Sequence, residues 1–162
     1  MKNNTKFLSL LIVAVMLCLS LVSCSGGNVA SSGTATLLVD KGDGDYTVYT
    51  VKLSELEKHD EGALTLLEYL STQKGTDLYY GTQAGGGYGA YITNINSLNP
   101  DPTSEYIAVY TSEPSDFSVS SDGMEMPSVM YNDTELKYSG VGISSMNIKD
   151  GTVVMFRLES FA

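Results

Sequence analysis

A chain of 162 residues, 43% of them hydrophobic, is long enough for one domain with a substantial core. Nine basic and 19 acidic residues give a net charge of −10. That balance excludes the basic footprint of a nucleic-acid binder and an electrostatic contact with anionic lipid.

The first stretch reads as a bacterial lipoprotein signal peptide over residues 1–23. Lys2 and Lys6 form its basic start, an apolar run follows over residues 7–22, and Leu21-Val22-Ser23-Cys24 forms a lipobox. The run falls short of the about 20 apolar residues a spanning helix needs. Ser25-Gly26-Gly27 follows with no basic stop-transfer flank, so cleavage before Cys24 is expected. The Cys24 thiol then takes a diacylglycerol, and a further acyl chain on the new amine makes the anchor stable, because one chain alone binds marginally. The alternative is an ordinary signal peptide with an incidental cysteine. The other cysteine, Cys18, leaves with the leader, so no disulfide is expected. The leader carries two lysines and no acid, so the remainder is more acidic still. The expected location is the extracytoplasmic face of a cell membrane.

Residues 24–33 are Ser/Gly-rich and read as a flexible tether. The folded domain is expected over residues 34–162. Runs at 34–39 and 46–51 are rich in β-formers and flank Asp40-Lys41-Gly42-Asp43-Gly44-Asp45, a hairpin pattern. Residues 63–73 carry the one clear helix, with Ala63, Leu66, Leu67 and Leu70 on one stripe. Asp60 is expected to cap its start and Gly75 to take the left-handed position after its end. Ser54 with Glu57 marks a short capped turn before it. Residues 79–89 read as a Gly/Tyr loop or irregular hairpin. Residues 90–95 and 105–111 alternate like half-buried strands, Asn132-Asp133 reads as a turn, and 152–158 is a strong final strand. One helix among about six short strands predicts an α+β domain with the helix on one sheet face.

Several clusters invite chemistry. Asp40, Asp43 and Asp45 lack the EF-hand spacing, since Gly42 and Gly44 fall where ligands belong, and a solvated turn is the better account. Gly85-Gly86-Gly87-Tyr88-Gly89 lacks the Lys-Ser or Lys-Thr of a phosphate loop. Its glycines let a backbone approach closely, and Tyr79, Tyr80, Tyr88 and Tyr91 surround it. Such rings either pack on the sheet or receive a large planar ligand. Met124, Met126 and Met130 could hold Cu(I), but methionines more often fill apolar gaps. His59, the single histidine, reads as a solvated helix-start residue between Lys58 and Asp60. Glu55/Glu57 and Asp60/Glu61 read as solvated faces. No clustered zinc ligands and no nucleophile elbow appear, so a binding protein is expected, with no catalytic residues and no resident metal.

Over residues 34–161, most clearly from residue 63 onward, the chain resembles the transcobalamin-like C-terminal domain family of bacterial surface lipoproteins, also the smaller domain of animal vitamin B12 carriers. The resemblance rests on the helix Leu64-Thr65-Leu66-Leu67-Glu68-Tyr69-Leu70 and on Gly89-Ala90-Tyr91-Ile92-Thr93-Asn94-Ile95-Asn96. It also rests on Glu105-Tyr106-Ile107-Ala108-Val109-Tyr110, and on Ser139-Gly140-Val141-Gly142-Ile143 followed by Lys149-Asp150-Gly151-Thr152-Val153-Val154. It departs in having Tyr106 where the family often has Trp, Ser97 where Gly is usual, and a longer 112–137 region.

The resemblance implies a β-grasp-like sheet packed on one helix in a single domain. It also implies capture of cobalamin or a related corrinoid, without covalent attachment, for delivery to a membrane transporter. Together with the tyrosine-rich loop, it places ligand contacts at Tyr88, Tyr91, Thr93, Tyr106, Gly140, Val141, Gly142 and Ile143. The alternative is a surface module that binds a protein or host polymer through exposed strand edges.

Overall fold

The computed structural model describes residues 28–42, 44–120 and 126–161. The lipobox with Cys24, Asp43 and Met124 lie outside the described residues.

Strand β1 (Thr34–Asp40) and strand β2 (Tyr46–Lys52) form the expected hairpin, with Asp40 opposite Tyr46. Its turn is closed locally. The Gly42 amide donates to Asp40 Oδ1 at 2.8 Å, and the Lys41 amide donates to the Asp45 carbonyl at 2.9 Å.

The chain then enters helix α1 (Gly62–Thr72), whose Ala63, Leu66, Leu67 and Leu70 are buried as their spacing predicts. Its start differs from expectation. Glu61, not Asp60, occupies the cap position and makes no side-chain cap; its amide instead donates to Thr65 Oγ1 at 3.3 Å. The cause lies at Gly62, which has φ +51° and sits against the 143–146 turn. A Cβ there would stand 2.6 Å from the Met146 carbonyl oxygen. Packing rather than capping sets this end. The other end is as expected, with Gly75 at φ +86°. The capping box expected at Ser54 is a 3-10 turn, Leu53–Glu55, with no side-chain cap.

The Gly/Tyr region forms its own two-stranded sheet, strand β3 (Tyr80–Ala84) against strand β4 (Ala90–Ile95), tipped by a 3-10 turn at Gly86–Tyr88. Gly81 faces Asn94 and Thr82 faces Ile92, so Thr93 is the extra residue of a bulge. That shift explains why Ile92 and Ile95, three apart, are both buried.

Strand β5 (Glu105–Thr111), strand β6 (Ser128–Tyr131), strand β7 (Thr134–Tyr138) and strand β8 (Val153–Ser160) complete a sheet of order β2-β1-β8-β5-β7-β6. Among the described strand pairs of this sheet, β1–β8 is the parallel one. Both of its strands are covered on two faces and read as apolar runs, Leu37-Leu38-Val39 and Val154-Met155-Phe156, all fully buried. Asn132 and Asp133 join β6 to β7 with φ of 44° and 64°, the paired left-handed geometry of a two-residue hairpin turn.

The helix covers the face carrying Leu37, Val39, Ile107, Val154 and Phe156. The other face carries Leu38, Ala108, Tyr110, Leu136 and Met155, with Tyr46, Tyr106, Tyr131 and Tyr138 packed around them. The result is a single α+β domain.

Candidate functional site

Strand β5 has two edges. One pairs with β8 along its whole length; the other meets β7 only at Tyr110 and Thr111. Past Tyr138 the chain makes one more link, the Ser139 amide to the Val109 carbonyl at 2.8 Å. It then veers away, with the Gly140 amide donating to the Asp116 carbonyl at 2.8 Å. A gap opens opposite Ile107. The tip of the β3–β4 hairpin stands on its far side.

This gap is a groove of about 380 Å³ lined by Gly85, Tyr88, Gly89 and Tyr91 from the hairpin, Ile107 and Val109 from β5, and residues 138–143. None of these residues is charged. Tyr88 and Tyr91 are exposed, at 76% and 44%, and form its rim. Tyr138 borders the groove, but its ring packs on the opposite sheet face against Tyr110, with centroids 5.7 Å apart. The deeper polar group is Ser139, whose hydroxyl donates to the Val141 carbonyl at 2.8 Å.

The walls are pinned together. The Gly142 amide donates to the Tyr88 carbonyl at 2.6 Å, and the Ala90 amide donates to Ser144 Oγ at 2.8 Å. A Cβ on Gly142 would lie 2.5 Å from the Ala90 carbonyl oxygen and 2.7 Å from that of Tyr88. A Cβ on Gly140 would lie 2.9 Å from Ser118 Cα. At these two glycines, expected to contact a ligand, the close approach is to the chain's own backbone.

Of the eight residues expected at a ligand, the fold brings six to this groove: Tyr88, Tyr91, Gly140, Val141, Gly142 and Ile143. Two lie elsewhere. Thr93 sits at the bulge, with its hydroxyl directed to Asn94 Oδ1 at 3.3 Å. Tyr106 belongs to the opposite sheet face, stacked on Phe161 at 5.1 Å and donating to Glu159 Oε2 at 3.2 Å. Strand alternation is the reason: Ile107 and Val109 face the groove side, so Tyr106 cannot. The same alternation, applied to β5, would have identified Ile107 and Val109.

The other candidates are placed as follows. Asp40 is buried, accepts from Gly42, and lies 3.7 Å from Arg157 Nε through its second oxygen. Glu55 accepts from the Tyr69 hydroxyl at 2.7 Å beside a separate acidic hollow at the foot of α1. His59 lines a third hollow with Asn28, Ser31 and Lys149. Its Nδ1 is buried with no hydrogen-bond partner among the described residues. Met130 is exposed on β6. Among the described residues no group of three His, Cys, Asp or Glu side chains is placed to hold a metal ion, and no helix is long and apolar enough to cross a membrane.

No protein-family model and no curated protein matches the sequence. Among solved structures, the chain is similar to a protein from Ruminococcus gnavus to which metal binding is provisionally ascribed. The TM-score is 0.51 at 13% identity, over 81% of this chain and 100% of that one. At that identity the likeness is one of fold.

Proposed function

We propose that this chain is a lipid-tethered, extracytoplasmic binding protein, not an enzyme, that captures cobalamin or a related corrinoid and passes it to a membrane transporter. The observation that carries the reading is the uncharged groove with Tyr88 and Tyr91 on its rim. Two exposed phenol rings offer flat apolar surface at low entropic cost, which suits a large planar ligand. Glycines at the hairpin tip keep that rim low.

The topology supports the family resemblance. What supports a β-grasp reading is an N-terminal hairpin, an α-helix after it, and a last strand parallel to the first. The metal binding ascribed to the Ruminococcus gnavus protein finds no donor cluster among the described residues. No histidine lines the groove, so a corrinoid would be held by its ring face and edge, with its cobalt ligands left in place.

The test is a titration of the full chain in detergent micelles with cyanocobalamin and cobinamide, followed by heat and by the corrinoid visible spectrum. Saturable one-to-one binding is expected, weakened about two- to tenfold by Tyr88→Ala or Tyr91→Ala, since an aromatic contact contributes about 0.5–1.5 kcal/mol. Tyr106→Phe, on the other sheet face, leaves it unchanged. Absence of binding at high micromolar ligand removes the reading and favours a protein or polymer partner.

A further inference from the structure

The groove has a chemical character that its side chains alone do not reveal. In an antiparallel ladder, alternate residues direct their amide and carbonyl to the same side. The Val109 carbonyl accepts from Ser139, on the side away from β8. Ile107, two residues earlier and opposite Leu158 on β8, directs its own amide and carbonyl to that same side. There the chain past Gly140 has already turned away, and the groove lies in its place. The floor of the groove is thus a short length of open strand edge, offering a donor and an acceptor in strand register.

Around this edge stand tyrosines, glycines, aliphatic side chains and one serine already engaged with Val141. No lysine or arginine is present to neutralise an anion, in a chain whose net charge is −10. A carboxylate placed here would lose its water without gaining a counter-charge. It would also meet the Ile107 carbonyl with no hydrogen to donate. A primary or secondary amide has both the N–H and the C=O that this edge requires.

The geometry points to a groove that selects the uncharged, amide-bearing edge of its ligand and rejects the corresponding carboxylate. This rests on the capture reading and narrows it: the cargo is the amidated form of the corrinoid, read through the main chain of β5 rather than through a charged side chain.

The experiment compares cobinamide with cobyrinic acid, which carries carboxylates in place of the amides. Each is titrated into the full chain in detergent micelles at high salt, so that long-range repulsion is screened. Binding of the carboxylate form is expected to be about 10- to 100-fold weaker, the scale of leaving buried polar groups unpaired. A second readout does not depend on any variant folding. In protein labelled at isoleucine amides, the Ile107 resonance should shift and its hydrogen exchange should slow with cobinamide. Equal affinity for the two ligands, or an unmoved Ile107 amide under saturating cobinamide, overturns this inference and leaves capture standing. Failure of both ligands to bind overturns capture itself and this inference with it.

Discussion

Tyr46 and Tyr131 belong to the two outermost strands of the six-stranded sheet, yet their rings meet edge-to-face with centroids 5.6 Å apart. Such a contact requires the sheet to curl until its first and last strands approach across the face opposite the helix. Leu38, Ala108, Leu136 and Met155 are enclosed by that curl. A double-mutant cycle of Tyr46→Ala and Tyr131→Ala in urea denaturation should return a coupling of about 0.5–1.5 kcal/mol, typical of an aromatic pair. Additive losses would mean that the curl is held by the ladder alone.

The hairpin that forms one wall of the groove is attached differently, through backbone contact at Gly142. Gly142→Ala drives a Cβ into two carbonyl oxygens that cannot rotate away. The expected cost is about 1–3 kcal/mol, together with loss of protection at the Tyr88–Ala90 amides in hydrogen exchange. Gly87→Ala is the matched control, because a Cβ there meets nothing within 4 Å. It should be neutral or stabilise by a few tenths of a kcal/mol through the unfolded state, about the lower end of such effects.

These two contacts show what was legible in the sequence and what was not. The stripe of Ala63, Leu66, Leu67 and Leu70, and the apolar runs of β1 and β8, report burial directly, because periodicity is set by the element that buries them. The β3–β4 hairpin is harder to read. Its glycines carry no side chain to alternate, and the bulge at Thr93 breaks the alternation of β4. Six of the expected ligand residues reach one groove because they lie on two segments that the fold presses together at Gly142 and Tyr88. Tyr106 does not, because a resemblance places a residue along a strand but not on one of its faces. The open edge at Ile107 depends on where β7 leaves β5, a tertiary event with no local signal beyond Gly140.

The loop that pulls the chain away from β5 is fastened by carboxylates. Asp116, fully buried, accepts from the Asn147 amide and from Asn147 Nδ2, both at 2.6 Å, and Glu113 pairs with Lys149 at 2.9 Å. Burial pushes the Glu113 carboxyl upward, but hydrogen bonds from Lys149 and Ser115 outweigh it and hold the group below its ordinary 4.5. A carboxyl depressed in the folded state adds stability above its unfolded pKa and loses it as pH falls through the folded value. Unfolding free energy should therefore decline as pH drops below about 4.5, and Glu113→Gln should flatten that part of the profile. A variant profile parallel to that of the parent would remove Glu113 from the account.

At the alkaline end the opposite linkage operates on the second sheet face. Tyr106 and Tyr110 both donate to the Glu159 carboxylate. Burial, then neighbouring Tyr138 and Glu159, push the Tyr106 phenol from 10.0 up to about 12, and Tyr110 is raised further by burial and its bond to Glu159. A phenol raised in the folded state contributes stability that is complete below its unfolded pKa of 10.0. That contribution declines as pH climbs from there through the folded value, because the unfolded chain ionises first. Phenolate absorbance of the native protein should show these two tyrosines titrating above the ordinary value of 10.0. Tyr106→Phe should delete one late step and soften the alkaline loss of stability, while the groove, on the far side of the sheet, keeps its ligand affinity. Loss of affinity in Tyr106→Phe with the fold intact would return Tyr106 to the binding site and contradict the face assignment of β5.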